Sequence, residues 1–230
     1  VEARRAMMRH ARRRARHGLV GGVVEHLDLD PVARPIERGH AVCATARKEA
    51  DLDRLKRQGA EAVAADIFDV ATLRAAVVNC DAAIHAATSI PTPTGAGDWA
   101  VNDRIRREGT QKLLAACRAE RVRRYVQQSV AMLNAASDAR PQTEDDPIAP
   151  SERIKSAADM EAHVITSGLD WRIVRGGAFY GPGTGRPDSW RSQARGGALS
   201  LPGDGNGFIS LIHVADMATA MIAAVGRGPA

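Results

Sequence analysis

The sequence predicts an α/β domain built on a doubly wound parallel sheet. Three observations predict it. From about residue 40, short apolar runs alternate with helical patterns of roughly 10–15 residues, the spacing of parallel βαβ units. The helical patterns carry end signals, such as Asp69 before one and Gly59 and Gly168 after others. Finally, 230 residues of which 44% are hydrophobic can bury one substantial core plus, at most, a small cap.

The elements follow in order. Residues 40–46 (HAVCATA) form a strand, and 49–58 a helix with Leu52 and Leu55 on its apolar face. Residues 60–65 (AEAVAA) form a short strand, 69–78 a helix, and 82–87 (AAIHAA) a buried strand. A Pro-, Gly- and Thr-rich loop spans 88–97. A long helix over 98–119 carries Leu113 and Leu114, and 124–129 (RYVQQS) is a strand. Polar residues 134–151, interrupted by three prolines, form a loop. A helix over 156–167 precedes a strand at 169–174 (LDWRIV) and a Gly-rich stretch.

The first 40 residues break this consistency. A parallel sheet of this kind needs a strand ahead of a Gly-rich turn, but Gly18-Leu19-Val20-Gly21-Gly22 follows ARRRARH, so no buried first strand is expected. Residues 23–38 belong to a helix in such a unit yet contain Pro31 and Pro35, each costing about 3 kcal/mol in a helix interior. Arginine codons of the CGN type, read one base later, encode Val, Ala or Gly. Residues 1–17 therefore read either as a basic arm or as a frame-shifted start, and residues 18–230 as the domain proper.

Charge and composition exclude several functions. The net charge of +5 is concentrated in residues 1–17, whose seven Arg and one Glu sum to +6, leaving −1 for the remainder. A nucleic-acid partner is not expected from the body of the chain. With 3% aromatic residues a base-stacking platform is not expected either. No run approaches the ~18 apolar residues of a membrane span. Cys43, Cys80 and Cys117 lie far apart and form no CxxC pair, which suits thiols in a reducing cytoplasm rather than disulfides or structural zinc. No metal-ligand motif or GxSxG elbow occurs.

From Gly39 to about Val225 the chain resembles the extended and atypical short-chain dehydrogenase/reductase superfamily, and within it the NAD(P)-dependent epimerase/dehydratase-like group. The carrying segments are Arg38-Gly39-His40-Ala41-Val42, Ala65-Asp66-Ile67-Phe68-Asp69 and Asp81-Ala82-Ala83-Ile84-His85-Ala86-Ala87. After them come Glu108-Gly109-Thr110-Gln111-Lys112-Leu113-Leu114, Arg124-Tyr125-Val126-Gln127-Gln128-Ser129, Tyr180-Gly181-Pro182-Gly183-Thr184 and Ile212-His213-Val214-Ala215-Asp216. The resemblance implies a Rossmann-type fold with a partial substrate cap at about 176–210, truncated against relatives of roughly 300 residues. It also implies a nicotinamide cofactor and a small-molecule substrate. Homodimer pairing through the helices at 98–119 and 156–167 is an analogy only.

The resemblance also distributes roles. Gly18 and Gly21 fit the second and third glycines of a GxxGxxG phosphate turn, with Ala15 at the first. Arg47 and Lys48 sit where the adenosine ribose is read, and a cation there favours the 2′-phosphate of NADP over NAD. Asp66 and Ile67 match the adenine-contacting loop, and Ala86, Ala87 and Thr88 the small residues beside the cofactor. Arg175 matches a residue on the cofactor side of the cleft. Each of these also has a plain structural reading.

The family's catalytic group is Ser/Thr plus Tyr-xxx-Lys, in which Lys lowers the Tyr pKa. Placing Lys155 at the Lys position puts Ser151 at the Tyr position; aligning Glu161 with the usual Glu instead puts Arg153 and Ala157 there. Neither register yields the pair. Ser129 matches the Ser, and Lys155 and Tyr180 are the remaining candidates for catalysis. His85 and His213 are expected to be structural. Arg104, Arg106 and Arg107 read as a solvated helix face, with Arg106 where many relatives carry Asn. The expected function is an NAD(P)-dependent oxidoreductase moving hydride between nicotinamide and a carbonyl or hydroxyl carbon. The alternative is a non-catalytic NADP-sensing or partner-binding protein.

Overall fold

The computed structural model describes residues 16–20, 36, 39–91, 97–134, 140–182, 184–200, 204–205 and 207–226. Six strands form one parallel sheet: β1 (Arg16–Val20), β2 (Ala41–Ala46), β3 (Glu61–Ala64), β4 (Ala82–His85), β5 (Arg124–Val130) and β6 (Asp170–Gly176). Their spatial order is β3-β2-β1-β4-β5-β6. The order reverses between β1 and β4, the switch point of a Rossmann-type sheet.

β1 corrects the expectation that the first strand is missing. Arg16–Val20 pairs on both sides, with Gly18 opposite Cys43 of β2 and Ala83 of β4. Weighing the side chains of ARRRARH misjudged the segment, because only its last two residues belong to the strand. A five-residue strand paired on both edges is specified largely by its backbone ladders. Gly18 consequently lies within the sheet rather than in a phosphate turn. Gly21 and most of the helix expected over 23–38 lie outside the described residues.

The helices behave as their sequence patterns predict. α1 (Glu49–Arg57) buries Leu52 and Leu55, with acidic residues in its first turn and basic ones in its last, as the helix dipole favours. α2 (Val70–Val77) is capped by Asp69, whose side chain accepts from Ala71 N. Asp98 caps α3 (Trp99–Arg104) by accepting from Val101 N. A π-helical turn (Ile105–Gly109) joins α3 to α4 (Thr110–Ala119). The long helix expected over 98–119 is thus present but widened by one turn, a feature common at functional sites.

α5 (Lys155–Ile165) crosses to β6. Beyond the sheet lie β7 (Ala178–Tyr180), α6 (Arg186–Arg195), β8 (Leu211–His213) and α7 (Val214–Gly226), with β7 and β8 paired in parallel. Helices cover both sheet faces. One core joins Val42, Ala44 and Ile84 to Leu52 of α1 and to Met217 and Met221 of α7. The other joins Ala83 and Tyr125 to Leu73, Leu113 and Val164 of α2, α4 and α5. Cys43, Cys80 and Cys117 are all buried thiols, and burial pushes Cys117 up to about 12, far from reactive thiolate.

Candidate functional site

In an open parallel sheet, ligands bind where the strands' C-terminal ends meet the switch point. Here that rim carries Arg47 and Lys48 after β2, Asp66 and Ile67 after β3, and Ala86, Ala87 and Thr88 after β4. Arg47 and Lys48 are exposed at the start of α1. Asp66 Oδ1 accepts from Phe68 N at 2.9 Å, and Asp66 N donates to Thr72 Oγ1 at 3.2 Å, so this residue shapes its own loop. Ile67 packs against Gly109, where an added Cβ would lie 2.7 Å from Ile67 Cγ1. Only a glycine lets the π turn approach that loop so closely.

The sheet face beneath α4 and α5 holds two polar layers. The lower lies wholly in the core. His85 Nδ1 is 3.0 Å from Gln127 Oε1, Tyr125 OH donates to the same oxygen at 2.9 Å, and Thr110 Oγ1 is 3.4 Å from Nδ1. His85 and Gln127 are register partners on adjacent strands. Burial lowers the His85 pKa to about 4 and raises that of Tyr125 well above its usual value, so both are neutral. As expected from the sequence, His85 is a core residue.

The upper layer lies one strand step toward the rim. Ser129 is two residues beyond Gln127, hence on the same face. It is 3% exposed, and its Oγ has no hydrogen-bond partner among the described residues. From α3, buried Asn102 accepts from Thr88 Oγ1 at 2.7 Å and from Ser89 N at 3.1 Å. Its Nδ2 is likewise without a partner. Buried polar atoms left open call for an account; His85 Nε2 and Gln128 Oε1 are open as well, and at the strand ends a ligand is one such account. Small Ala86 and Ala87 alongside leave the backbone approachable. By these marks the rim could hold a dinucleotide, with Ala86, Ala87, Thr88 and Ser129 available to one half and Arg47 and Lys48 to the other.

The other candidates fall as follows. Lys155 has a 57% exposed side chain and an ion pair with Glu152 at 3.8 Å. Arg153 lies over the Trp99 ring at 4.7 Å, and Ala157 is fully buried. Tyr180 is exposed and meets the edge of the His213 ring, centroids 5.2 Å apart. His213 Nδ1 accepts from Ala215 N at 3.2 Å, capping the start of α7. Arg175, register partner of Ser129, is bound in a fork to Glu161 of α5, at 2.6 and 2.9 Å.

Of the arginine run, Arg104 and Arg107 do form surface ion pairs, with Glu108 and Asp159. Arg106 is instead buried, correcting the solvated-face reading. Asn102, Arg106 and Thr110 are four residues apart, so helical spacing could have shown that Arg106 shares the inward face. Among the described residues no cluster of His, Cys, Asp and Glu could hold a metal, and no helix is long and apolar enough to cross a membrane.

A family profile described as NAD(P)H-binding matches residues 32–225. The chain belongs to this NAD(P)H-binding family. A curated relative, the 3-diazoavenalumate denitrifying reductase of Streptomyces sp, is 33% identical over 203 residues, covering 82% of this chain and 65% of that protein. The chain thus spans about two thirds of that relative's length. Two solved structures share the fold with a TM-score of 0.72: Bordetella bronchiseptica WbmH with NAD+ (21% identical, 92% of this chain and 73% of that one) and the UDP-glucose 4-epimerase of Thermus thermophilus with NAD (20%, 93% and 75%). The NAD(P)-binding family read from segments such as Ala65–Asp69 and Asp81–Ala87 is borne out by the family match, and the Rossmann-type fold by the solved structures.

Proposed function

We propose that the protein is an NADPH-preferring reductase acting on a small-molecule acceptor held beside Ser129. The observation carrying this reading is the buried, unpartnered Ser129 Oγ at the C-terminal end of β5, in the half-sheet that serves nicotinamide in this architecture. When bound, the reduced cofactor supplies a hydride. Arg47 and Lys48 favour NADPH, because a guanidinium and an ammonium match the 2′-phosphate.

The acceptor is constrained by what α5 lacks. A carbonyl acceptor needs a proton at its oxygen, but neither register along this stretch supplies the family's pair: one puts Ser151 and Lys155 at the phenol and ammonium positions, the other Arg153 and Ala157. Ser129 can orient an oxygen by hydrogen bonding but is a poor acid. A carbon bearing a diazonium group needs no acid: it takes the hydride while the C–N pair departs with dinitrogen. The 33% identical relative is named for reduction of a diazo-substituted acid, which supports this acceptor class over a carbonyl.

Incubation with NADPH and a diazonium-bearing aromatic acid is expected to consume one NADPH per dinitrogen released. Deuterium at nicotinamide C4 should appear at the former C–N carbon. Tight NADPH binding without turnover on diazonium or carbonyl acceptors would replace the reductase with a cofactor-sensing protein. Arg47→Ala should weaken NADPH by about tenfold, roughly 1.4 kcal/mol, and leave NADH unchanged; equal losses for both would remove Arg47 from phosphate recognition.

A further inference from the structure

We infer that Arg106 forms an anion site in the substrate chamber and that this site takes the carboxylate of a small acid. Its biological meaning rests on the reductase reading above, whereas its existence can be tested without turnover. Arg106 is 6% exposed. Its one hydrogen bond among the described residues runs from Nη1 to Ser156 Oγ at 3.3 Å, and Ser156 in turn donates to Asp103 Oδ1 at 2.6 Å. Among the described residues no carboxylate forms an ion pair with Arg106. A guanidinium stays charged and offers five N–H donors in a planar fork, so most of this fork is open. Burial lowers its pKa, and the charge of Asp103, reached through Ser156, opposes this.

The location points to substrate. Asn102, one turn before Arg106, holds the chain just past β4, and Thr110, one turn after, contacts His85 at the end of β4. Arg106 lies between them on the face turned to the strand ends. Across from it, Ser156 is followed by Ala157, which contributes no long side chain to that space. Ser129 Oγ and Asn102 Nδ2, both buried and open, add neutral hydrogen-bonding groups in the same layer. The π turn places Arg106 inward while Arg104 and Arg107 point to solvent. Asp103 already offsets one unit of charge, so a monoanion meets less repulsion there than a dianion. A phosphate dianion would meet that carboxylate with a single guanidinium to balance it, so a carboxylate fits better.

The test uses the NADP+-loaded full chain titrated with benzoate, benzamide and UDP, followed by calorimetry and by melting temperature. Benzoate is expected to bind at least about tenfold tighter than benzamide and to raise the melting temperature. Arg106→Gln should reduce benzoate to the benzamide level and Arg106→Lys should fall between, both keeping NADP+ affinity within about twofold. Equal binding of benzoate and benzamide by the unaltered protein overturns the inference even if the variants fail to fold. So does unchanged benzoate binding in Arg106→Gln, a parallel loss of NADP+ affinity, or tighter Arg106-dependent binding of UDP. Benzoate binding with no hydride transfer keeps the site and sinks the reductase. Turnover indifferent to the acceptor's charge keeps the reductase and sinks the site.

Discussion

Helix α5 is held from its two sides by two arginines, and they are held very differently. On the β6 side, Arg175 donates to both oxygens of Glu161, at 2.9 and 2.6 Å, and to Asn134 Oδ1 at 3.0 Å. Its fork is filled, and it ties β6, α5 and the loop after β5 together. On the π-turn side, Arg106 makes one 3.3 Å bond to Ser156. Residue type is the same, and Arg106 is the more deeply buried of the two. What differs is closure of the hydrogen bonding, and closure separates a group that builds the fold from one that waits for a ligand.

The largest expected effect breaks the closed side. Arg175→Met leaves Glu161, 2% exposed, as an uncompensated buried carboxylate. Breaking a buried pair costs about 3–5 kcal/mol; since Arg175 keeps a 25% exposed side chain, the lower figure applies. That is a fall in melting temperature of roughly 6–12 °C for a chain of this size. Arg106→Met removes a charge with no ion-pair partner among the described residues and should change stability by less than about 1 kcal/mol in either direction. Urea unfolding without ligands measures both. Equal losses would erase the distinction between the two arginines.

The layer beneath sharpens the comparison through pH. His85 has its pKa lowered from 6.5 to about 4 by burial. Below pH 6.5 the unfolded chain therefore binds a proton that the folded chain refuses. Stability is complete above that value and declines as pH falls from about 6.5 toward 4, by up to roughly 3 kcal/mol. His85→Gln should flatten this slope between about pH 7.5 and 4.5 relative to the unaltered protein. Benzoate binding at Arg106 should keep its pH dependence in His85→Gln, because a neutral His85 contributes no charge to that site. A slope equally steep in His85→Gln would assign the acid sensitivity to carboxylates instead.

The legible and illegible parts of the sequence follow the same division. Strands β2 to β6 and helices α1 to α5 were readable because apolar runs, caps such as Asp69 and Asp98, and stops such as Gly59 are local signals. β1 was not, because the pairing that specifies Arg16–Val20 lies in strands far along the chain. In the site, Ser129 was visible by its strand-end position. Arg106 was masked, since three arginines in four residues look like a solvated face, although its four-residue spacing from Asn102 and Thr110 marks the inward one. Only the register set by Asn102 and Thr110, and the extra width of the π turn, send the middle one inward. Glu161 is the converse case. Aligning it with the usual Glu gave one of two registers, with Arg153 in the turn before α5 and Ala157 in the helix, but its bond to Arg175 depends on neighbouring elements.

The smallest expected effect tests what aims Arg106. Gly109 closes the π turn against Ile67, and an added Cβ would come within 2.7 Å of Ile67 Cγ1. Gly109→Ala therefore forces either the Ile67 loop or the helix to give way, at about 1–2 kcal/mol, the lower part of the range for overpacking. The helix is anchored by Asn102 on one side and by Thr110 on the other, whereas Ile67 sits in a loop that is only partly buried. The loop should yield. NADPH, whose adenine this loop is proposed to meet, should then weaken a few-fold while benzoate affinity is unchanged. The reverse result, benzoate weakened and NADPH intact, would mean that the π turn relaxed and carried Arg106 out of the chamber, which makes the turn itself the device that keeps the guanidinium open.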